Sequence, residues 1–149
     1  MQHVTCRVNS NGIQQWFDTN GELHRDDDLP AIIYANNRKQ KWYQHGERHR
    51  DGDKPASVSS DGTQKWYQHD MLHRDGDKPA VIWKNGTQEW YQHSKRHRDG
   101  DLPAIIHACG NQKWYQHGKL HRDGDKPAII DADGEQQWYQ HNKIHRDGD

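Results

Sequence analysis

Apolar side chains along this chain come in short, evenly spaced clusters rather than long runs or helical stripes. Ala31-Ile32-Ile33, Ala80-Val81-Ile82, Ala104-Ile105-Ile106 and Ala128-Ile129-Ile130 form one series, each headed by proline. Trp42-Tyr43, Trp66-Tyr67, Trp90-Tyr91, Trp114-Tyr115 and Trp138-Tyr139 form a second, each followed by Gln-His. Polar residues fill the gaps. β-Branched and aromatic residues favour strands, proline is tolerated at the head of a strand, and no 3.6-residue period is sustained. The pattern therefore predicts pairs of short strands, such as residues 104–108 and 112–116, in an up-and-down order. Trp and Tyr, being adjacent, would face opposite sides of the sheet. Trp is then expected in the core, with Tyr partly exposed.

Three independent columns define the period. The triplet His-Arg-Asp begins at His24, His49, His73, His97, His121 and His145. Tryptophan recurs at Trp16, Trp42, Trp66, Trp90, Trp114 and Trp138, and the only prolines are Pro30, Pro55, Pro79, Pro103 and Pro127. Such self-similarity marks a repeat architecture. The expectation is one all-β domain over 1–149 made of six hairpin repeats of about 24 residues. The repeats run approximately over 1–29, 30–54, 55–78, 79–102, 103–126 and 127–149. They would form an elongated sheet or solenoid, with a closed trefoil- or barrel-like array as the alternative. Two parses fit: two strands per repeat, or a third strand at Lys-Leu-His-Arg that makes each repeat a triangular coil.

Two turn signals recur. Asn11-Gly12, Asp61-Gly62, Asn85-Gly86 and Asp133-Gly134, with Asn36-Asn37 and Cys109-Gly110 in the same column, predict type I′ hairpin turns. Asn20-Gly21, His45-Gly46, His69-Asp70, His93-Ser94, His117-Gly118 and His141-Asn142 are weaker turn formers.

Hydrophobic residues make up only 30% of the chain and mean hydropathy is −1.44. Such a composition would suit disorder, but seven Trp and six Tyr supply burial in large pieces. A thin fold in which each repeat contacts its neighbours reconciles the two. Twenty-one Lys and Arg against 22 Asp and Glu leave a net charge of −1. That balance argues against general nucleic-acid binding and against a polybasic membrane contact. Cys6 and Cys109 lie in different repeats and suggest no disulfide framework. With no basic start followed by an apolar run and no stretch long enough to span a bilayer, a cytoplasmic protein is expected and membrane insertion is not.

The repeated polar residues offer several chemistries. His-Arg-Asp also occurs in kinase catalytic loops, but six copies without a glycine-rich loop or Asp-Phe-Gly exclude that role. Six equivalent carboxylate pairs likewise argue against a hydrolase, because catalysis needs one preorganised constellation. No enzyme is expected. The pairs His45/His49, His69/His73, His93/His97, His117/His121 and His141/His145 span a turn, so their four-residue spacing is not that of a helical metal site. The first His of each pair reads as a turn residue, and the second as a partner for a loop carboxylate. A divalent metal at the His and Asp loops is the alternative, with no cofactor as the leading expectation.

The run Trp114-Tyr115, Gly118, His121-Arg122, Pro127-Ala128 resembles the variant MORN repeats of bacterial, phage and giant-virus proteins, YwqK-like antitoxin components among them. Those repeats read Trp-Tyr-x-Asn-Gly-x-x-His-Arg followed by a Gly-Pro-Ala segment. The likeness extends over all six repeats and departs at Asp-Gly-Asp-Lys-Pro, where the family has a shorter link. It implies a sheet of successive hairpins, and scaffolding or partner binding rather than one activity. The expected function is a non-enzymatic scaffold that self-associates or binds a protein partner through its loops and an open sheet edge. A phage or bacterial conflict role fits the resemblance. The candidate rim is His49, Arg50, Asp51, His73, Arg74, Asp75, His97, Arg98, Asp99, His121, Arg122 and Asp123. Tyr43, Tyr67, Tyr91, Tyr115 and Tyr139 are candidate aromatic contacts. A metal-, small-ligand- or carbohydrate-binding array is the alternative.

Overall fold

The computed structural model describes residues 4–146. The chain divides into two compact halves, Met1–Leu72 and His73–Asp149. Both are built almost wholly of antiparallel strands and turns. In the first half a ladder runs Thr5–Val8, Gln14–Phe17, Ile32–Ile33, Gln40–Lys41, Ser57–Val58, Gln64–Lys65. In the second it runs Val81–Ile82, Gln88–Glu89, Ile105–Ile106, Gln112–Lys113, Ile129–Ile130, Gln136–Gln140, Lys143–Arg146. Neither run returns to pair with its own first strand, so each half is an open sheet rather than a closed barrel.

Each repeat contributes two hairpins, not one. The ladder hairpin pairs, for example, Ile105 with Lys113 and Ile106 with Gln112. The next repeat joins on its far side, where Lys113 pairs with Ile129 and Gln112 with Ile130. A second, two-stranded hairpin follows at once: Tyr115–Gln116 against Lys119–Leu120. The long loop expected from the sequence thus opens with a hairpin, and the Lys-Leu segment does form a strand. Between Ile32 and Ile130 the strands are only two residues long, bounded by the Pro-Ala pair, the turns and the Trp step.

The two turn types are the reverse of the sequence expectation. In the Asn-Gly and Asp-Gly turns only the glycine is left-handed: φ is 93° at Gly62 and 94° at Gly134. Gly62 N–H donates to Ser59 O and Ser59 N–H to Thr63 O. That is a type I turn closed by a left-handed glycine, the three-residue hairpin loop. The type I′ geometry sits instead at the second turns of the later repeats, where both residues are left-handed: His69 and Asp70 at 47° and 61°, His117 and Gly118 at 50° and 85°; in the first repeat only Gly21 of Asn20-Gly21 is left-handed. In the second repeat one extra residue turns the first loop into a short 3-10 segment, Ala35–Asn37.

The core is thin, as the composition required. Ala31, Ala56, Ala80, Ala104 and Ala128 are wholly buried, and Trp42, Trp66, Trp90 and Trp114 are 6–7% exposed. Trp114 N–H donates to Ala128 O at 2.8 Å, a bond repeated from Trp42 to Ala56 and from Trp90 to Ala104. Within each half these bonds tie the Trp of one repeat to the buried Ala of the next.

Candidate functional site

The His-Arg-Asp-Gly-Asp loops are held by a network that repeats with the sequence. In the loops at residues 51–53, 75–77, 99–101 and 123–125 the Gly and second Asp adopt left-handed φ, as in Gly100 at 75° and Asp101 at 55°. That bend turns the Asp carbonyl toward the following repeat, where Trp114 Nε1 donates to Asp101 O at 3.0 Å. Trp42 does the same to Asp28 O, Trp66 to Asp53 O and Trp90 to Asp77 O.

The arginine column completes the clasp. Arg122 lies over Trp114, its guanidinium carbon 3.9 Å from the ring centroid. Its Nη1 donates to Pro127 O, and Nε and Nη2 donate to the two oxygens of Asp101. Arg50 and Arg98 repeat the pattern on Asp28 and Asp77. Arg74 Nη1 donates to Pro79 O. Lys126 adds a second cation to Asp101, and Lys54 to Asp28. Hydrogen bonds from Arg122 and Lys126 hold the Asp101 carboxyl down at about 2, and those from Arg50 and Lys54 hold Asp28 well below the ordinary carboxylate range. A guanidinium that stacks, donates to a carbonyl and grips a carboxylate with two N–H groups is already occupied. The arginines are frame, not a free ladder for a polyanion.

The histidines pair across repeats rather than within them. His97/His117 and His24/His45 stack with centroids 4.5 and 4.3 Å apart, and His49/His69, His73/His93 and His121/His141 meet at a tilt with centroids 4.4–4.7 Å apart. His117 N–H donates to His97 Nδ1, and His97 Nε2 lies 3.0 Å from Asp99 Oδ1. An ionised carboxylate only accepts, so Nε2 carries the proton and Nδ1 is the acceptor. His49, His73 and His121 sit in the same way on Asp51, Asp75 and Asp123. The second His does bond a loop carboxylate, as the sequence suggested. The first, a left-handed turn residue, also caps its neighbour's ring. Gln44, Gln92 and Gln116 donate to Asp51, Asp99 and Asp123, and with the histidines lower those carboxyl groups.

In the loops of the second to fifth repeats the first aspartate is what faces outward. Side-chain exposure is 80% at Asp51, 79% at Asp75, 80% at Asp99 and 77% at Asp123. Clefts open between consecutive loops: about 430 Å³ between the first two, floored by Trp42 and Tyr43, and about 180 and 260 Å³ in the second half. Tyr43, Tyr67, Tyr91, Tyr115 and Tyr139 are half-buried in the second hairpins. Burial pushes the Tyr43 hydroxyl up, and Arg48 lies 4.2 Å from the Tyr67 ring centroid.

Among the described residues, the metal-ligating types that converge are not in the repeated loops. They are Asp18, Glu22 and His45, whose ligand atoms lie within 4.8 Å of one another. Asp18 takes N–H bonds from Asn20 and Glu22 on one oxygen and faces His45 Nδ1 with the other. The carboxylate closes a turn and anchors the next repeat. Sequence reading overlooked it because Asp18 stands where the other repeats carry Gln. No helix among the described residues is long and apolar enough to cross a membrane. In comparisons with known proteins, no family model matches the chain and no curated protein matches it.

Proposed function

We propose that the chain is a non-enzymatic repeat scaffold that binds a protein partner through the rim of its loops. The observation that carries this reading is the division of labour within each loop. Arginine, histidine and the second aspartate hold the frame, while Asp51, Asp75, Asp99 and Asp123 present carboxylates 77–80% exposed. With strands about 4.8 Å apart and two ladder strands per repeat, successive carboxylates recur about every 10 Å within a half. Loops on a regular scaffold are where binding residues concentrate, and a partner carrying basic side chains at a matching interval complements them. Kinship with variant MORN repeats and a phage or bacterial conflict role belong to the same proposal. So does a cytoplasmic location, which the exposed free thiols of Cys6 and Cys109 favour.

The test is affinity capture by the whole chain and by D51K/D75K/D99K/D123K. The variant loses the bonds that His and Gln make to these carboxylates, so it is expected to stay folded at a lower melting temperature and to lose the captured partner. An unchanged partner on the variant would remove the rim from the argument. Self-association is the second form of the reading. Val8 and Ile144, 63% and 65% exposed, lie on the strands that begin and end the ladder order and favour it. A mass by light scattering that stays monomeric as concentration rises would count against it.

A further inference from the structure

The first repeat builds the receiving side of the clasp at Trp16 and Arg25. Trp16 N–H donates to Ala31 O at 2.9 Å, the bond that Trp42 makes to Ala56 and Trp114 to Ala128. The Arg25 guanidinium carbon lies 3.8 Å from the Trp16 ring centroid; Arg50 sits at 3.8 Å on Trp42, and Arg98 and Arg122 at 3.9 Å on Trp90 and Trp114. Arg25 Nη1 donates to Pro30 O, as Arg50, Arg98 and Arg122 donate to Pro55, Pro103 and Pro127. The aim of the guanidinium is therefore set by the repeat itself.

The difference lies in what the other donors meet. Trp42, Trp90 and Trp114 give Nε1 to the carbonyls of Asp28, Asp77 and Asp101. Arg50, Arg98 and Arg122 give Nε and Nη2 to the carboxylates of those same residues. Trp16 Nε1 and Arg25 Nε and Nη2 meet no acceptor among the described residues. In the adjoining loop Asp26 faces His24, and Asp28 takes Arg50 and Lys54. Trp16 and Arg25 are half-buried, and no buried side-chain nitrogen or oxygen among the described residues lacks a partner, so all three donors reach solvent.

We propose that Trp16 and Arg25 form a binding site for the second aspartate of an Asp-Gly-Asp turn presented by another polypeptide. Its carboxylate takes the Arg25 fork, and its backbone carbonyl takes Trp16 Nε1. Arg98 shows that the fork suffices without a helping lysine, since it holds Asp77 at 2.7 and 3.0 Å. Leu102 stands four residues after Arg98, where Lys54 and Lys126 follow Arg50 and Arg122, and Leu29 holds that place after Arg25. A planar fork matches a carboxylate with two parallel bonds, and a stacked guanidinium has little freedom left to lose on binding. A phosphate dianion fills the fork too, but it brings no carbonyl for the indole and sets a second charge against Asp26, Asp27 and Asp28. The turn comes from a second copy of this chain or from another acidic protein; only the first source rests on the self-association proposed above.

Two-dimensional NMR of the whole chain, read at the indole N–H of Trp16, tests this with the capped peptide His-Arg-Asp-Gly-Asp-Lys-Pro, the sequence of residues 121–127. Internal clasps gain from the linkage of their loops, so the free peptide is titrated into the millimolar range. The Trp16 resonance is expected to move while those of Trp42, Trp90 and Trp114, already bonded, stay. The same peptide with asparagine for its second aspartate is expected to bind about tenfold more weakly. W16F keeps an aromatic ring under Arg25 and removes the donor, and R25K keeps the charge and removes the fork. Each is expected to bind the peptide about tenfold more weakly, read for W16F at Arg25 Nε–H, with a cooperative melt showing that it is folded. No movement of Trp16, equal binding of the two peptides, or undiminished binding by both folded variants would each overturn the inference. Light scattering of wild type and R25K identifies the source. A mass that rises with concentration in wild type alone makes the partner a second copy, and monomers throughout, with peptide bound, make it another protein.

Discussion

Asp101 and Arg122 meet in a two-point ion pair, Nε to Oδ1 at 2.7 Å and Nη2 to Oδ2 at 3.2 Å, and by that contact one loop grips the next. Asp101 also receives Trp114 Nε1 on its carbonyl, so a single left-handed aspartate positions two side chains of the following repeat. The planar fork of arginine fits the carboxylate and the indole face together, which lysine cannot do.

Asp101→Asn is expected to cost about 1 kcal/mol at neutral pH, a modest figure because the carboxylate is 40% exposed and solvent screens it. The sign of its pH dependence follows from the lowered carboxyl at about 2. A depressed carboxyl stabilises the fold above its unfolded value of about 3.9, and that contribution is lost as pH falls from there through about 2. Urea melts at pH 7 and pH 3 should therefore show wild type losing more stability in acid than D101N.

Trp114→Ala removes a large buried side chain, its bond to Asp101 and the platform under Arg122. The expected cost is about 3–5 kcal/mol. Trp138 is only half-buried and its Nε1 lies 3.4 Å from Asp125 O, so W138A should cost clearly less. Thermal melts of the two variants would show the difference; equal losses would contradict the packing described here.

His117 sits at φ 50°, a region that asparagine visits readily and β-branched residues do not. H117N should retain the hairpin with only the ring stack lost, whereas H117V should cost about 1–3 kcal/mol in backbone strain. Denaturant midpoints for the pair separate the turn from the stack.

The bonds on His97 define its tautomer. Long-range nitrogen-15 NMR at neutral pH should show His97 protonated at Nε2 and bare at Nδ1, with His49, His73 and His121 alike. The imidazole and carboxylate groups of the repeated loops are engaged with each other, so a chelator is expected to leave the melting temperature unchanged. A fall on chelation would revive the metal reading.

Much of this was legible in the chain. The Pro, Trp and His-Arg-Asp columns placed six repeats and an all-β fold, and the apolar Trp column marked the core. The turns were misread because Asn-Gly and Asp-Gly serve both a type I′ turn and a type I turn closed by glycine. The choice between them depends on how many residues separate the paired strands, such as Val58 and Gln64. Histidine at the true type I′ turns gave little local signal, since its left-handed backbone is stabilised by a ring some 20 residues earlier. The rim was found as a triplet, but the roles within it depend on partners in the next repeat. Glu89, which takes hydrogen bonds from Trp83 and Arg96, was not singled out because a consensus averages away what one repeat alone carries.

The bonds that hold the loops join residues no more than 27 apart, such as His45 to Asp18 or Arg122 to Asp101. Within a half, then, the clasps among the described residues tie each repeat to its neighbour, and strain applied along the chain meets them in series. A half pulled from its ends should yield like a zip fastener, one repeat at a time. Each step would release about 24 residues, roughly 80 Å of extended chain.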